Sequence, residues 1–428
     1  MLMNTCLKFP ENFVWGSAAS GHQIEGNNRH SNWWHWELAS ETRPSSGRAV
    51  DYWNRFEEDH ALMKQMGLQA FRVGIEWARV EPEEGRFDEA AIAHYRSIFE
   101  SLKKHGLKIC LTLHHWVVPE WAAKKGDWRN PEMVDWFLRY VERMVQEFGS
   151  FPYQWITLNE PMVAALAGYF SADFPPGRRN YFELRRVVRH MLQAHAGAYQ
   201  IIHRYDPDAE VGYAMAYPDL QTWGSRGPAG GYERLAAAIG RRFVNDAWDY
   251  SVKTGKMHPV YGRGKIPGLK NSIDFCGVNY YFRMTLRFSL KHWRTGFIDP
   301  EATPEGIEKN DYGWQIWPPG IRTVISRVWQ TFGKPIVITE NGIADRTDEK
   351  RAAYIIEHLK QVYQCLEAGI PVLGYYHWSF IDNFEWKEGF DMCFGLVDVD
   401  PDDPELKRKP RRSAEIYSEI IKNNGICC

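Results

Sequence analysis

Short apolar runs rich in β-branched and aromatic residues recur along the chain, and the stretches between them carry apolar positions three and four apart. The runs fall at 12–20 (NFVWGSAAS), 70–77 (AFRVGIEW), 107–116 (LKICLTLHHW), 153–160 (YQWITLNE), 210–217 (EVGYAMAY), 273–281 (IDFCGVNYY), 335–341 (PIVITEN) and 371–380 (PVLGYYHWSF). Between them, Trp136, Phe137, Tyr140, Val141, Met144, Val145 and Phe148 share one helical face, as do Ile92, Tyr95, Ile98, Phe99 and Leu102, with Gly106 placed to end that helix. Residues 352–369 repeat the pattern and also close on Gly. Strands alternating with amphipathic helices imply a parallel sheet. Eight such units predict an α/β fold, a (β/α)8 TIM barrel with loops inserted after the first, fifth and sixth strands. No Gly/Ser linker, low-complexity tract or repeat divides the sequence, so 1–428 is expected to form a single domain.

In such a barrel the chemistry lies at the C-terminal ends of the strands, and here the strand ends are polar. PYQWITLNEP (152–161) ends in Asn159 and Glu160, and PIVITENG (335–342) ends in Glu340 and Asn341. The others offer His114-His115-Trp116, Asn279-Tyr280-Tyr281 and His377-Trp378, with Gln23 just beyond the first run. A lone glutamate at a strand end is an ordinary exit to solvent. Two of them, each beside an asparagine, predict one shared site.

A facing carboxylate pair is the equipment for cleaving a glycosidic bond, one protonating the leaving oxygen while the other attacks the anomeric carbon or activates water. At about 5–5.5 Å the second acts as nucleophile and configuration is retained. Two like charges that close repel by roughly 3 kcal/mol at an effective dielectric near 20, about two pKa units. One glutamate then stays protonated near neutral pH while the other is ionised.

Composition narrows the alternatives. The formal charge is −2, which gives no hint of a nucleic-acid or other polyanionic partner. The basic run KRKPRR (407–412) reads as a solvated connection. Seven cysteines without a C-x-x-C pattern argue against a disulfide framework and for a reducing, cytoplasmic setting. No signal sequence is apparent, and no apolar run approaches the roughly 18 residues of a membrane span. His30, His35, His114 and His115 lack the spacing of a metal site, and no cofactor motif is found. The 19 Trp residues include clusters in polar stretches such as HSNWWHWE (30–37), where rings with one polar edge suit sugar ligands.

Seven segments, FVWGSAASGHQIEG, FRVGIEWARVEP, LTLHHWVVPEW, TLNEP, GVNYY, ITENG and WSFIDNFEWKEGF with FGLVDVD, stand in the order found in glycoside hydrolase family 1. The chain resembles that family, the retaining β-glucosidases and their relatives, over essentially its whole length. The resemblance implies Glu160 as acid/base and Glu340 as nucleophile. Asn159 would meet the sugar 2-hydroxyl, Tyr281 would donate to Glu340, Arg72 would keep Glu340 ionised, and Asn279 would help orient the pair. Gln23, His115, Asn159 and Glu385 would bind glycone hydroxyls, with Trp378 as the stacking floor and Trp116 and Trp386 adding contacts. Taken singly, His115, Arg72 and Trp378 would be ordinary buried residues; their joint placement at strand ends sets them apart.

Glu385 is expected to favour unphosphorylated sugars, since the phospho-glycosidase branch carries Ser and Lys near this position. Cys393, before Phe394-Gly395, and Glu76, inside FRVGIEW, depart from the usual pattern, and Glu76 is expected to add a charge below the site. Phe170–Arg179, Trp223 and Trp314–Trp317 are the expected aglycone wall. The implied partner is a small β-glycoside or oligosaccharide. Glucose, galactose and fucose are left open, as are transglycosylation and a non-hydrolytic sugar-binding role. A serine hydrolase is excluded by the lack of G-x-S-x-G.

Overall fold

All eight expected strands form, and they close on one another in chain order. In the computed structural model, which describes residues 6–299 and 301–427, these are β1 (Val14–Ala18), β2 (Ala70–Gly74), β3 (Lys108–Thr112), β4 (Pro152–Asn159), β5 (Val211–Ala216), β6 (Cys276–Asn279), β7 (Ile336–Asn341) and β8 (Val372–Trp378). Every neighbouring pair is parallel, and β8 returns to β1 with Tyr375 opposite Trp15. Eight helices follow the strands: α1 (Tyr52–Gln65), α2 (Glu89–Lys104), α3 (Met133–Phe148), α4 (Tyr181–Tyr205), α5 (Ala247–Thr254), α6 (Pro319–Phe332), α7 (Arg351–Glu367) and α8 (Arg412–Lys422).

The strand alternation sorts side chains into two cores. Val14, Ala70, Cys110, Ile156, Ala214, Val337 and Tyr376 fill the barrel interior, while Phe71, Val73, Ile109, Leu111 and Trp155 pack outward with the helices. Arg72, two residues after Ala70, therefore shares the interior face. Asp88 caps α2 by accepting from the Ala90 and Ala91 amides, and Asn180 caps α4 through Phe182 and Glu183. Gly106 (φ 75°) and Gly369 (φ 79°) supply the left-handed turns that end α2 and α7.

The insertions fall where the long gaps predict them. Two short helices follow β1. Strand 219–222 and helix 227–241 follow β5, and strands 283–288 and 298–299 follow β6; the three strands form one small sheet. Helix 227–241 is tied to that sheet by Glu233, which accepts the amides of Gly224, Ser225 and Phe288.

Two expectations need correcting. Cys6 and Cys427 are joined in a disulfide beside an antiparallel pairing of Leu7–Lys8 with Gly425–Ile426, whereas Cys110, Cys276, Cys365 and Cys393 are buried thiols. KRKPRR is not simply a solvated connection. Arg408 makes a buried two-pronged ion pair with Asp59 on α1, and Arg411 is shared by Asp382 and Asp398. Among the described residues no helix is long and apolar enough to cross a membrane, and no group of three or more His, Cys, Asp or Glu is placed to hold a metal ion.

Candidate active site

Each glutamate-bearing strand loses its regular register just before the glutamate. Pairing of β4 with β5 shifts between Ile156 and Asn159, and pairing of β7 with β6 shifts between Ile338 and Glu340. Glu160 then takes a left-handed backbone (φ 44°) and precedes a short helix opened by Pro161. Trp116 (φ 69°) and Trp386 (φ 53°) share this uncommon conformation and line the same cavity. Such a backbone costs on the order of 1–3 kcal/mol per residue and persists where the surroundings impose it.

The cavity, about 300 Å³, opens at the C-terminal ends of the strands. Gln23, His115, Trp116, Glu160, Asn279, Tyr281, Glu340, Trp378, Glu385 and Trp386 all line it. Asn159 and Arg72 lie buried beneath them. The residues expected to carry the chemistry and to bind the sugar are thus brought together.

Arg72 organises the floor. Its guanidinium pairs with Glu340, donates to the Thr339 carbonyl at 3.1 Å and to Asn159 Oδ1 at 2.7 Å, while Nε meets the Thr112 hydroxyl. The Tyr281 hydroxyl donates to the other oxygen of Glu340. Asn279 Nδ2 donates to Glu160 Oε1 at 2.8 Å and to Asn159 Oδ1, and Thr339 Oγ1 donates back to Asn279 Oδ1. Asn159 Nδ2 meets His115 Nε2 at 2.9 Å. Burial, with the Arg72 charge adding, drives the His115 pKa well down, so the ring is neutral.

The two glutamates differ in what surrounds them. Burial raises both. At Glu340 the Arg72 charge and the hydrogen bonds from Tyr281 and Arg72 oppose that rise. At Glu160 the Glu340 charge adds to burial, while Asn279 and the more distant Arg72 give little relief, and its pKa reaches about 8. Of the pair, Glu160 keeps the proton.

Opposite them, Trp378 Nε1 donates to Glu385 Oε1 at 3.2 Å. Burial, eased by that bond and raised further by Glu340, pushes Glu385 up to about 8. Gln23 commits its amide hydrogens to Asn383 Oδ1 and the Phe384 carbonyl and accepts from Ser20. His115 stacks between Trp378 (5.9 Å) and Trp386 (6.1 Å). The outer wall includes Phe174 and Trp314 as expected, but Trp223 lies under Arg287 and Trp317 under Arg283, neither lining the cavity. Of the 30–37 tryptophans, Trp33 packs behind Trp386 at 4.5 Å, and Trp36 packs against the same cluster. Glu76 is not below the glutamates. It accepts the His22 amide and Asn28, with burial first and Glu25 next raising it to about 7, and His22 in turn lies flat on Trp386.

Sequence reasoning missed Thr339, Asn383, Tyr312, Lys387 and Phe394. Thr339 and Lys387 stand inside the quoted motifs ITENG and EWKEGF, next to the residues chosen. Tyr312 lies in an insertion without a motif, so nothing in the sequence pointed to it.

A parallel eight-stranded barrel whose mouth holds two buried carboxylates among hydrogen-bonding amides and indoles has the form of a glycoside hydrolase. The sequence model described as glycosyl hydrolase family 1 matches residues 6–426, and the chain belongs to that family as a β-glycosidase. It is 31% identical to beta-glucosidase A of Thermotoga maritima, over 98% of this chain and 99% of that protein. It is also 31% identical to a beta-galactosidase of Pyrococcus woesei, over 98% of each. Among solved structures, the beta-glycosidase from Pyrococcus horikoshii superimposes with a TM-score of 0.91 at 36% identity, covering 99% of this chain and 97% of that one.

Proposed function

We propose that the protein is a retaining β-glycosidase, with β-glucosides as preferred substrates, in which Glu340 is the nucleophile and Glu160 the acid/base. The observation that carries this reading is the asymmetry of the pair: Glu340 is held by Arg72 and Tyr281, while Glu160 has only an amide donor. The ionised Glu340 attacks the anomeric carbon as Glu160 gives its proton to the leaving oxygen. Ester formation removes the negative charge at Glu340. The Glu160 pKa then falls, and the same carboxylate takes a proton from the incoming water. Asn159, anchored by Arg72, is set to meet the 2-hydroxyl.

For glucose over galactose, the support is the beta-glucosidase A of T. maritima among the relatives, since Glu385 and Gln23 on one rim can bind either 4-hydroxyl. The beta-galactosidase of P. woesei at equal identity makes substrate comparison the deciding experiment. Proton NMR of an aryl β-glucoside digest, recorded before mutarotation, is expected to show the β-anomer first, and the α-anomer first would overturn the nucleophile. The ratio of kcat/KM for aryl β-glucoside, β-galactoside and β-fucoside checks the sugar. A higher value for the galactoside would overturn the glucoside preference.

A further inference from the structure

The charge of this near-neutral chain is unevenly placed beside the cavity. Val244 and Phe174 line the cavity at its outer side. Phe243, next to Val244, contacts the rings of Phe170 (5.4 Å), Tyr181 (6.4 Å) and Tyr261 (5.4 Å). The Tyr181 hydroxyl donates to the Val260 carbonyl, Arg185 Nε to the Tyr261 carbonyl and Arg189 to the Arg263 carbonyl at 2.7 Å. The first turns of α4, the 258–265 loop and the segment after helix 227–241 therefore form one continuous face.

That face is basic. Arg179, Arg185, Arg186, Arg189, Arg242 and Arg263 stand on it, and among the described residues none of the six has a carboxylate within ion-pair distance. Three of them donate to backbone carbonyls, which leaves their charge uncompensated. Of the nearby carboxylates, Glu183 is taken by Arg178, which leaves Asp173 and Asp246.

The same face exposes hydrocarbon. Phe182, its ring 6.2 Å from that of Tyr181, is 71% exposed, and Phe170, against Phe243, is 50% exposed. Neither side chain lines the cavity. A soluble polyanion would engage the arginines and leave these side chains in water. A surface with anionic headgroups over hydrocarbon meets both, with roughly 1 kcal/mol from each Arg near the charged plane and insertion of single apolar side chains between headgroups.

We infer that this face docks the protein on an anionic lipid surface, with the cavity mouth at the edge of the docked face. This lies beyond the glycosidase reading and does not depend on the Glu160 and Glu340 roles.

The test is sedimentation of the full chain with vesicles of phosphatidylcholine, with and without phosphatidylserine, at low and high salt. Binding is expected only with phosphatidylserine and is expected to weaken with salt. Replacing Arg186, Arg242 and Arg263 together by Ser should lower the affinity on the order of a hundredfold. The pair Phe182→Ser and Phe170→Ser should lower it as well, with circular dichroism melting curves showing that both variants keep their fold. Absence of phosphatidylserine-dependent sedimentation overturns the inference, as does a triple variant that binds like the parent. Loss on removing the arginines with none on removing Phe182 and Phe170 also overturns it and identifies a soluble polyanion site instead.

Discussion

Arg72 on β2 and Glu340 on β7 form a buried ion pair across the barrel, and the same guanidinium fixes Asn159 on β4. One cation thus serves the nucleophile candidate and the amide proposed to read the sugar's 2-hydroxyl. Replacing Arg72 by Met would leave Glu340 buried without its counter-charge, a loss of about 3–5 kcal/mol by analogy with broken buried pairs. The expected outcome is a lower melting temperature, a large fall in kcat, and an acidic limb of the rate profile moved to higher pH. Unchanged limb position with reduced stability would assign Arg72 to packing alone.

Glu160→Ala should separate the two chemical steps. General-acid help is worth about 10²–10⁴-fold, so hydrolysis of alkyl glucosides should fall by that factor. A dinitrophenyl glucoside, whose leaving group needs no proton, should still form the glycosyl-enzyme in a rapid burst. Glu340→Ala should abolish the burst. Stopped-flow release of the phenol reads both.

The pH dependence follows from the shifts at the pair. In the proposed roles activity needs Glu160 protonated, so the rate should fall as pH rises through its value of about 8. It needs Glu340 ionised, so the acidic limb should lie above the ordinary glutamate range. Stability has its own sign. Glu160 and Glu385 have folded values of about 8, raised from 4.5, so their contribution is complete below about 4.5 and is lost as pH rises through 8. Melting temperatures should therefore decline between about pH 4.5 and 8 and level off above that, and Glu160→Gln should flatten the decline.

At Glu385 the same shift alters a simple charge argument. Burial keeps this carboxyl largely protonated at neutral pH, so repulsion of a sugar 6-phosphate should be partial there and should grow as pH passes 8. Comparing kcat/KM for an aryl β-glucoside and its 6-phosphate across pH checks this. Comparable rates above pH ~8 would remove Glu385 from the phosphate-excluding role.

Cys6→Ser opens the single disulfide found among the described residues. By the chain-entropy estimate a loop of this size is worth about 6 kcal/mol, which for a chain of this length is a fall of about 7 °C in melting temperature. Scanning calorimetry of parent and variant, each with and without reductant, gives the comparison, and the parent with reductant should match the variant.

The barrel was legible because its information is local. Each strand shows as an apolar run, each helix as a repeat, and the polar strand ends stand out against both. Motif order then pointed to the pocket residues. What escaped depends on contacts between distant positions. Arg408 meets Asp59 across 349 residues, so a basic run looked solvated. Cys6 meets Cys427 across 421, and scattered cysteines looked free. Trp223 and Trp317 were expected at the wall because aromatic residues in insertions read alike, whether they face a cavity or lie under an arginine. The formal charge of −2 likewise averages over the arginine face near α4.

The clasp at the chain ends has a further consequence. With Cys6 bonded to Cys427, the polypeptide between them is a covalent ring, and the seam where β8 meets β1 lies inside that ring. Tyr417 on α8 stitches the same seam by donating to the Gly16 carbonyl. Unfolding such a molecule cannot begin by peeling α8 away from a free end. It must instead open an internal loop, so resistance to exoproteases, more than melting temperature, is the property this feature most directly confers.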